Sequence, residues 1–291
     1  MKKINGLQNF SFIDFSKTAG ELEDQRTELY YNKKNSKIRM FDDSHIIKLA
    51  GNNLEFVKNL EALNIEQVNS PIDFLQDKHE ENKYYIISKY LENYLELDYY
   101  SKQLLPLEEI LNYFIQIMQI LQNCHNKDFF VGDLHFSNIL ISPDKKAFLF
   151  DFDKSIFLKD KIISADKNES LYTLYDNFFV QNILKNTYGI RKEDLSFYNS
   201  NIDLLIPYFI EMDKECILRE IIGLLCYKFQ IHKDKYEITK NDFKKMPLPR
   251  SLEKKLIDCL INNNPLYSDD YLIDELTDFK DSRLVRKKLN R

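Results

Sequence analysis

An α+β fold is what the sequence predicts, and three observations carry it. The hydrophobic pattern changes character near residue 90, from short alternating runs to apolar residues at helical spacing. Hydrophobic residues make up 44% of the 291 residues, enough for a sizeable core. The six glycines and seven prolines are scattered rather than gathered into a linker, and no internal repeat is visible, so one continuous domain is expected.

Residues 1–28 read as an N-terminal extension whose Phe10, Phe12 and Phe15 are available to pack on the strands after it. Between residues 29 and 90, five strands are predicted, at 29–31, 37–41, 45–49, 72–76 and 84–88, separated by Asn/Lys/Ser or Asp-Asp turns. Leu54, Val57, Leu60 and Leu63 recur at helical spacing between the third strand and the fourth. From residue 91 onward the pattern is mainly helical. Ile110, Leu111, Phe114, Ile117, Met118 and Leu121 draw a broad apolar stripe, the mark of a core helix. Segments 139–142 and 147–150 are strand-like, and Pro143-Asp144-Lys145-Lys146 between them has turn chemistry, which predicts a hairpin. Helical stripes return at Leu171, Leu174, Tyr175, Phe178 and Phe179, and again at Ile217, Leu218, Ile221, Ile222 and Leu225.

Composition narrows the function. Net charge is -5 with a pI near 5.7, and no basic run is interleaved with aromatics, which argues against a nucleic-acid partner. No apolar run approaches the roughly 20 residues that span a bilayer. Met1-Lys2-Lys3 is followed by Asn5, Gly6, Gln8 and Asn9, which interrupt any secretory-signal core. Cys124, Cys216, Cys226 and Cys259 lie far apart, each in an apolar helical pattern, which predicts buried, reduced thiols. A cytoplasmic protein is the expectation.

The densest chemistry lies in Val131-Gly132-Asp133-Leu134-His135-Phe136-Ser137-Asn138-Ile139-Leu140, followed after the hairpin by Asp151-Phe152-Asp153. Taken singly, Asp133 and Asn138 need only cap a turn. The whole pattern, an Asp, four residues, an Asn, a hairpin and then Asp-Phe, resembles the catalytic and metal loops of the protein-kinase-like superfamily, among them atypical bacterial-type Ser/Thr kinases and aminoglycoside-phosphotransferase-like kinases. His125, eight residues before Asp133, matches a histidine that kinases carry where the long helix meets this loop. The resemblance implies a bilobal fold: an antiparallel-sheet N-lobe with one helix at 29–90 and a mainly helical C-lobe at 91–291. It also implies ATP and Mg2+ as cofactors. Asp133 takes the role of catalytic base, Asn138 and Asp151 hold magnesium, and Asp153 is a further acidic group near the metals. His135 stands where a catalytic-loop lysine is common, as in small-molecule kinases.

A kinase-like site also needs a strand lysine and a helix glutamate to grip ATP. Lys48, in the apolar strand, and Glu55, opening the next helix, match those places, with Glu61 as the competing partner. The plainer alternatives are a lysine guarding a sheet edge and a solvated glutamate. Ser88-Lys89-Tyr90-Leu91-Glu92 resembles the hinge whose backbone receives adenine, which adds Lys89, Tyr90 and Leu91 to the cofactor contacts; His135 is a further one. The sequence departs from the family where a glycine-rich cover over the phosphates is expected. Tyr31-Asn32-Lys33-Lys34-Asn35-Ser36-Lys37 contains no glycine, leaving Ser36 or a lysine to reach phosphate. Val131-Gly132 replaces the usual His-Arg, so an arginine that reads a phosphorylated segment is missing. Asp176 is the candidate for the buried helix aspartate that braces the catalytic loop.

Two features point to different acceptors. The helical patterns between 249 and 276 resemble the last helices of protein kinases and favour Ser/Thr of a protein. The segment 154–175 lacks Ala-Pro-Glu and favours a small alcohol, such as a sugar, choline-like or aminoglycoside-like compound. A pseudokinase, a binding module that keeps the fold without catalysis, is the alternative of another class. The missing glycines and Asp153 motivate it, and retention of Asp133, Asn138 and Asp151 together argues against it.

Overall fold

The computed structural model describes residues 12–13, 38–42, 44–51, 53–77, 84–101, 105–152, 154–158, 162–163, 185, 189–194, 197, 201, 204, 206–231, 237–264, 266 and 270–289. Among them the chain is a mixed α+β protein with seven α-helices and small, mostly antiparallel sheets. The strand expected at 29–31, the helical stripe at 171–179, Phe10 and Phe15 lie outside the described residues.

Strand β1 (Phe12–Ile13) is followed by β2 (Ile38–Asp42), β3 (His45–Gly51), β4 (Pro71–Asp77) and β5 (Tyr84–Lys89). The last four match the predicted strands to within two residues at either end. They form one sheet in the order β1-β4-β5-β3-β2, so β3 is an interior strand, with Lys48 opposite Ile38 on one side and Ile86 on the other. Strand β1 runs parallel to β4, with Phe12 opposite Gln76, and so attaches part of the N-terminal extension to the far edge. Helix α1 (Leu54–Ala62) follows β3. Asn53 caps it by accepting the Phe56 amide at 3.2 Å, and Phe56, Val57 and Leu60 are buried as α1 packs on β4.

Beyond the sheet come β6 (Leu95–Glu96), α2 (Leu97–Ser101) and α3 (Leu107–His125), then β7 (Phe129–Phe130), β8 (Ile139–Ile141), β9 (Ala147–Leu149), β10 (Ile156–Phe157) and β11 (Ile162–Ile163). Helices α4 (Ile206–Lys228), α5 (Lys240–Phe243), α6 (Arg250–Leu260) and α7 (Ile273–Leu289) complete the chain. Helix α3 buries the predicted stripe and packs against α4 and α7. Each fully buried Leu or Ile of that stripe contributes about 1.5–3 kcal/mol relative to exposure. Helix α4 is enclosed on several faces. Phe209, Met212, Ile217 and Leu218 are buried there together with Asp213, Lys214 and Glu215, so the apolar stripe visible in the sequence covers only its second half.

All four cysteines are buried and free of disulfides, as their spacing predicts. Among the described residues, no helix is long and apolar enough to cross a membrane.

Candidate functional site

Two strand pairings bring the motif together. Strands β8 and β9 form the predicted hairpin, with Ile139 opposite Leu149 and Ile141 opposite Ala147. Strand β10 lies antiparallel to β7, with Ile156 opposite Phe130 and Phe157 opposite Phe129. The segment that leaves β7 therefore runs beside the one that leaves β9. Fully buried Ser155 donates from its hydroxyl to the Val131 carbonyl at 2.6 Å, and the Phe150 amide donates to the Asn138 carbonyl at 3.2 Å. Gly132 has φ +82°, and a Cβ there would lie 2.2 Å from the carbonyl oxygen of Lys154. Only glycine lets the two segments pass at that separation.

Asp151 sits at the crossing with φ +64°, in the left-handed region that residues other than glycine rarely use. Its Oδ1 accepts a hydrogen bond from Lys48 Nζ at 2.5 Å. Ile47 and Lys48 point to opposite faces of the sheet and both are buried. A lysine at 7% exposure on an interior strand is not guarding an edge; it is held there by a charged partner. Glu55 is exposed in the first turn of α1, the setting of a solvated helix residue. Glu61 is half-buried, and burial first and the Asp73 carboxylate second push its pKa up.

Asp133 Oδ2 lies 3.2 Å from Lys154 Nζ and 3.9 Å from His135 Nε2. Nδ1 of His135 accepts the Ser137 amide at 3.2 Å, capping the short 3-10 turn Phe136–Asn138. Buried Asn138 donates from Nδ2 to the Asp133 carbonyl at 2.9 Å. The motif residues Asp133, His135, Asn138 and Asp151 are thus gathered with Lys48, which comes from the sheet.

Beneath the loop, Asp213 of α4 accepts the Val131 amide at 2.8 Å and the Gly132 amide at 2.9 Å, and its Oδ2 is 2.9 Å from His125 Nε2. His125 Nδ1 is in turn 2.7 Å from the Tyr271 hydroxyl. Asp176, the sequence candidate for this brace, lies outside the described residues, and among the described residues Asp213 fills the role. No sequence signal marks it, because its burial and its donors, the Val131 and Gly132 amides, are set by tertiary packing.

In the predicted hinge, Lys89 is exposed and Tyr90 and Leu91 are half-buried. The Tyr90 amide donates to the Ser44 carbonyl at 2.7 Å, the Lys89 carbonyl accepts from Asn69 Nδ2 at 3.2 Å, and the Leu91 carbonyl accepts from the Tyr94 amide at 3.3 Å. Ser36 and Asp153 lie outside the described residues. A polar cavity of about 350 Å³ between Gln119, Lys255, Asp270 and Glu275 lies elsewhere and meets the His125 network only at Tyr271.

Compared with family models and with curated proteins, the chain matches none.

Magnesium seated on nucleotide phosphates takes oxygen donors and needs only one or two from the protein. Asp151 and Asn138 offer them: Lys48 engages one carboxylate oxygen of Asp151, and the Asn138 amide nitrogen is spent on the loop. That donor set fits the metal. Among the described residues, no three or more His, Cys, Asp or Glu side chains form a metal cage of their own.

Proposed function

We propose that the chain is an ATP- and magnesium-dependent phosphotransferase of the protein-kinase-like superfamily, moving the γ-phosphate to a hydroxyl. One observation carries the reading. Lys48 and Asp151, assigned by resemblance to the phosphates and the metal, lie 103 residues apart in sequence and meet at 2.5 Å. The sheet order β4-β5-β3-β2 with α1 packed on it, followed by a mostly helical remainder, supports the bilobal form.

MgATP supplies the phosphoryl group, and the metal offsets charge on it. The remaining work belongs to the chain. Lys48, anchored on an interior strand, binds phosphate oxygens by charge-assisted hydrogen bonds. Asp151 and Asn138 present oxygens to the metal. Asp133 orients the acceptor hydroxyl and takes its proton. Asp213 fixes the two amides that precede Asp133, so the base is held by the core rather than by a mobile loop.

Ser/Thr of a protein is the favoured acceptor, because α6 and α7 fall where the sequence resembles the last helices of protein kinases. A small alcohol is the alternative. The deciding experiment is transfer of radiolabelled γ-phosphate from ATP with magnesium, using the purified chain, a cell lysate and a panel of small alcohols, with Asp133→Asn and Asp151→Asn as controls. Label in an acceptor, lost in both variants, supports the reading. ATP binding without transfer to any acceptor refutes it in favour of a pseudokinase.

A further inference from the structure

We propose that Lys154 is a positioning residue of the transfer site, holding Asp133 in the orientation that receives the acceptor hydroxyl. The inference rests on the phosphotransferase reading above. Resemblance directs attention to His135, which occupies the place of a catalytic-loop lysine, but the geometry favours another side chain. Lys154 Nζ is 3.2 Å from Asp133 Oδ2, whereas His135 Nε2 is 3.9 Å away. His135 is also committed at its other nitrogen to the Ser137 amide, and its ring carries charge only when protonated.

An ion pair between half-exposed side chains contributes little when both must be ordered to form it. Here the backbone of Lys154 is already fixed. Its carbonyl lies against Gly132, so closely that a Cβ at that position would be 2.2 Å away. The next residue, Ser155, donates to the Val131 carbonyl at 2.6 Å, and Ile156 pairs with Phe130. Asp133 is likewise fixed from below through Asp213 and from the side through Asn138. The Lys154–Asp133 contact thus joins two rigid backbones.

The Asp133 carboxylate, held at Oδ2 by Lys154, takes the acceptor proton. The acceptor oxygen then bonds to the γ-phosphorus, the bond from that phosphorus to the β-γ bridging oxygen breaks, and its electron pair leaves with ADP. Lys154 takes no part in the bond changes; it sets the direction of the base.

The test has two readouts. In steady-state transfer assays, Lys154→Ala is expected to lower kcat about tenfold or more. Its KM for ATP and its dissociation constant for MgATP are expected to stay within about twofold, because ATP is gripped at Lys48. Lys154→Arg is expected to recover most of the loss. Independently of catalysis, acylation of the Lys154 amine by a lysine-reactive reagent, read by mass spectrometry on the nucleotide-free chain, is expected to speed up severalfold in Asp133→Asn. A wild-type enzyme that transfers phosphate while Lys154→Ala keeps its kcat overturns the proposal and leaves the phosphotransferase reading intact. Equal acylation rates in wild type and Asp133→Asn overturn it as well. A wild type that transfers no phosphate to any acceptor overturns the phosphotransferase reading itself, and the proposed role of Lys154 falls with it.

Discussion

Lys48 Nζ and Asp151 Oδ1 lie 2.5 Å apart, joining an interior sheet strand to the residue that follows the β8–β9 hairpin. The lysine side chain is 9% exposed and the aspartate 25%, so the pair is shielded enough to matter and open enough to exchange partners with a ligand. A urea-denaturation double-mutant cycle with Lys48→Met and Asp151→Asn is expected to return a coupling energy of about 0.5–3 kcal/mol. Strictly additive effects would show that the pair does not form in solution. Each substitution alone is expected to cut phosphoryl transfer by about 100-fold or more.

Asp213 satisfies two backbone amides and His125 at 1% exposure. Asp213→Ala strands all three and is expected to destabilise the fold by about 3–5 kcal/mol, seen as a lower urea midpoint. Tyr271→Phe removes one hydrogen bond from the same network and is expected to cost about 1 kcal/mol. A Tyr271→Phe loss as large as that of Asp213→Ala would mean that the tyrosine, not the aspartate, anchors the loop.

Burial pushes the thiols of Cys124, Cys216 and Cys259 well up from their ordinary value, and Cys226 is buried too. The thiolate is the nucleophile, so a thiol held protonated inside the core is inert. Iodoacetamide at pH 8 is expected to modify no cysteine of the native chain and all four after unfolding in urea. Rapid native modification of any one would place that residue at the surface.

Lys255 has its pKa raised, first by its hydrogen bond to Asp270 and then by that to Glu275. A raised folded-state value means that the stabilisation is fully present below the unfolded lysine value of about 10.4 and fades as pH climbs through the folded value. The side chain is 38% exposed, so the contribution is discounted for solvent screening to under about 1 kcal/mol. Comparing wild type with Lys255→Met by urea denaturation at pH 8 and above pH 11 is expected to show a difference only at the lower pH. A gap that persists at the higher pH would assign the effect to packing of the lysine stem.

Part of this architecture is legible in the sequence alone. The spacing of Leu54, Val57 and Leu60 marks α1, and the stripe from Ile110 to Leu121 marks α3, because an amphipathic helix writes its period into neighbouring residues. The turn chemistry of Pro143 and Asp144 marks the β8–β9 hairpin for the same local reason. Strand β1 was not legible, since a two-residue strand has no periodicity and its partner, β4, lies far along the chain. Nor was Asp213: α4 is buried on several faces, and polar residues that are satisfied from elsewhere in the fold read as solvent-facing in a sequence.

By itself, the sequence determined the α+β class, the buried thiols and the identity of the polar residues around the hairpin, because each depends on local pattern or on composition. The tertiary structure decided that Asp151 meets Lys48, that Asp213 carries the loop and that Lys154 reaches Asp133. Those contacts join residues far apart in the chain, through a left-handed glycine, a strand pairing and a buried helix, and no local run of residues encodes the distance between them.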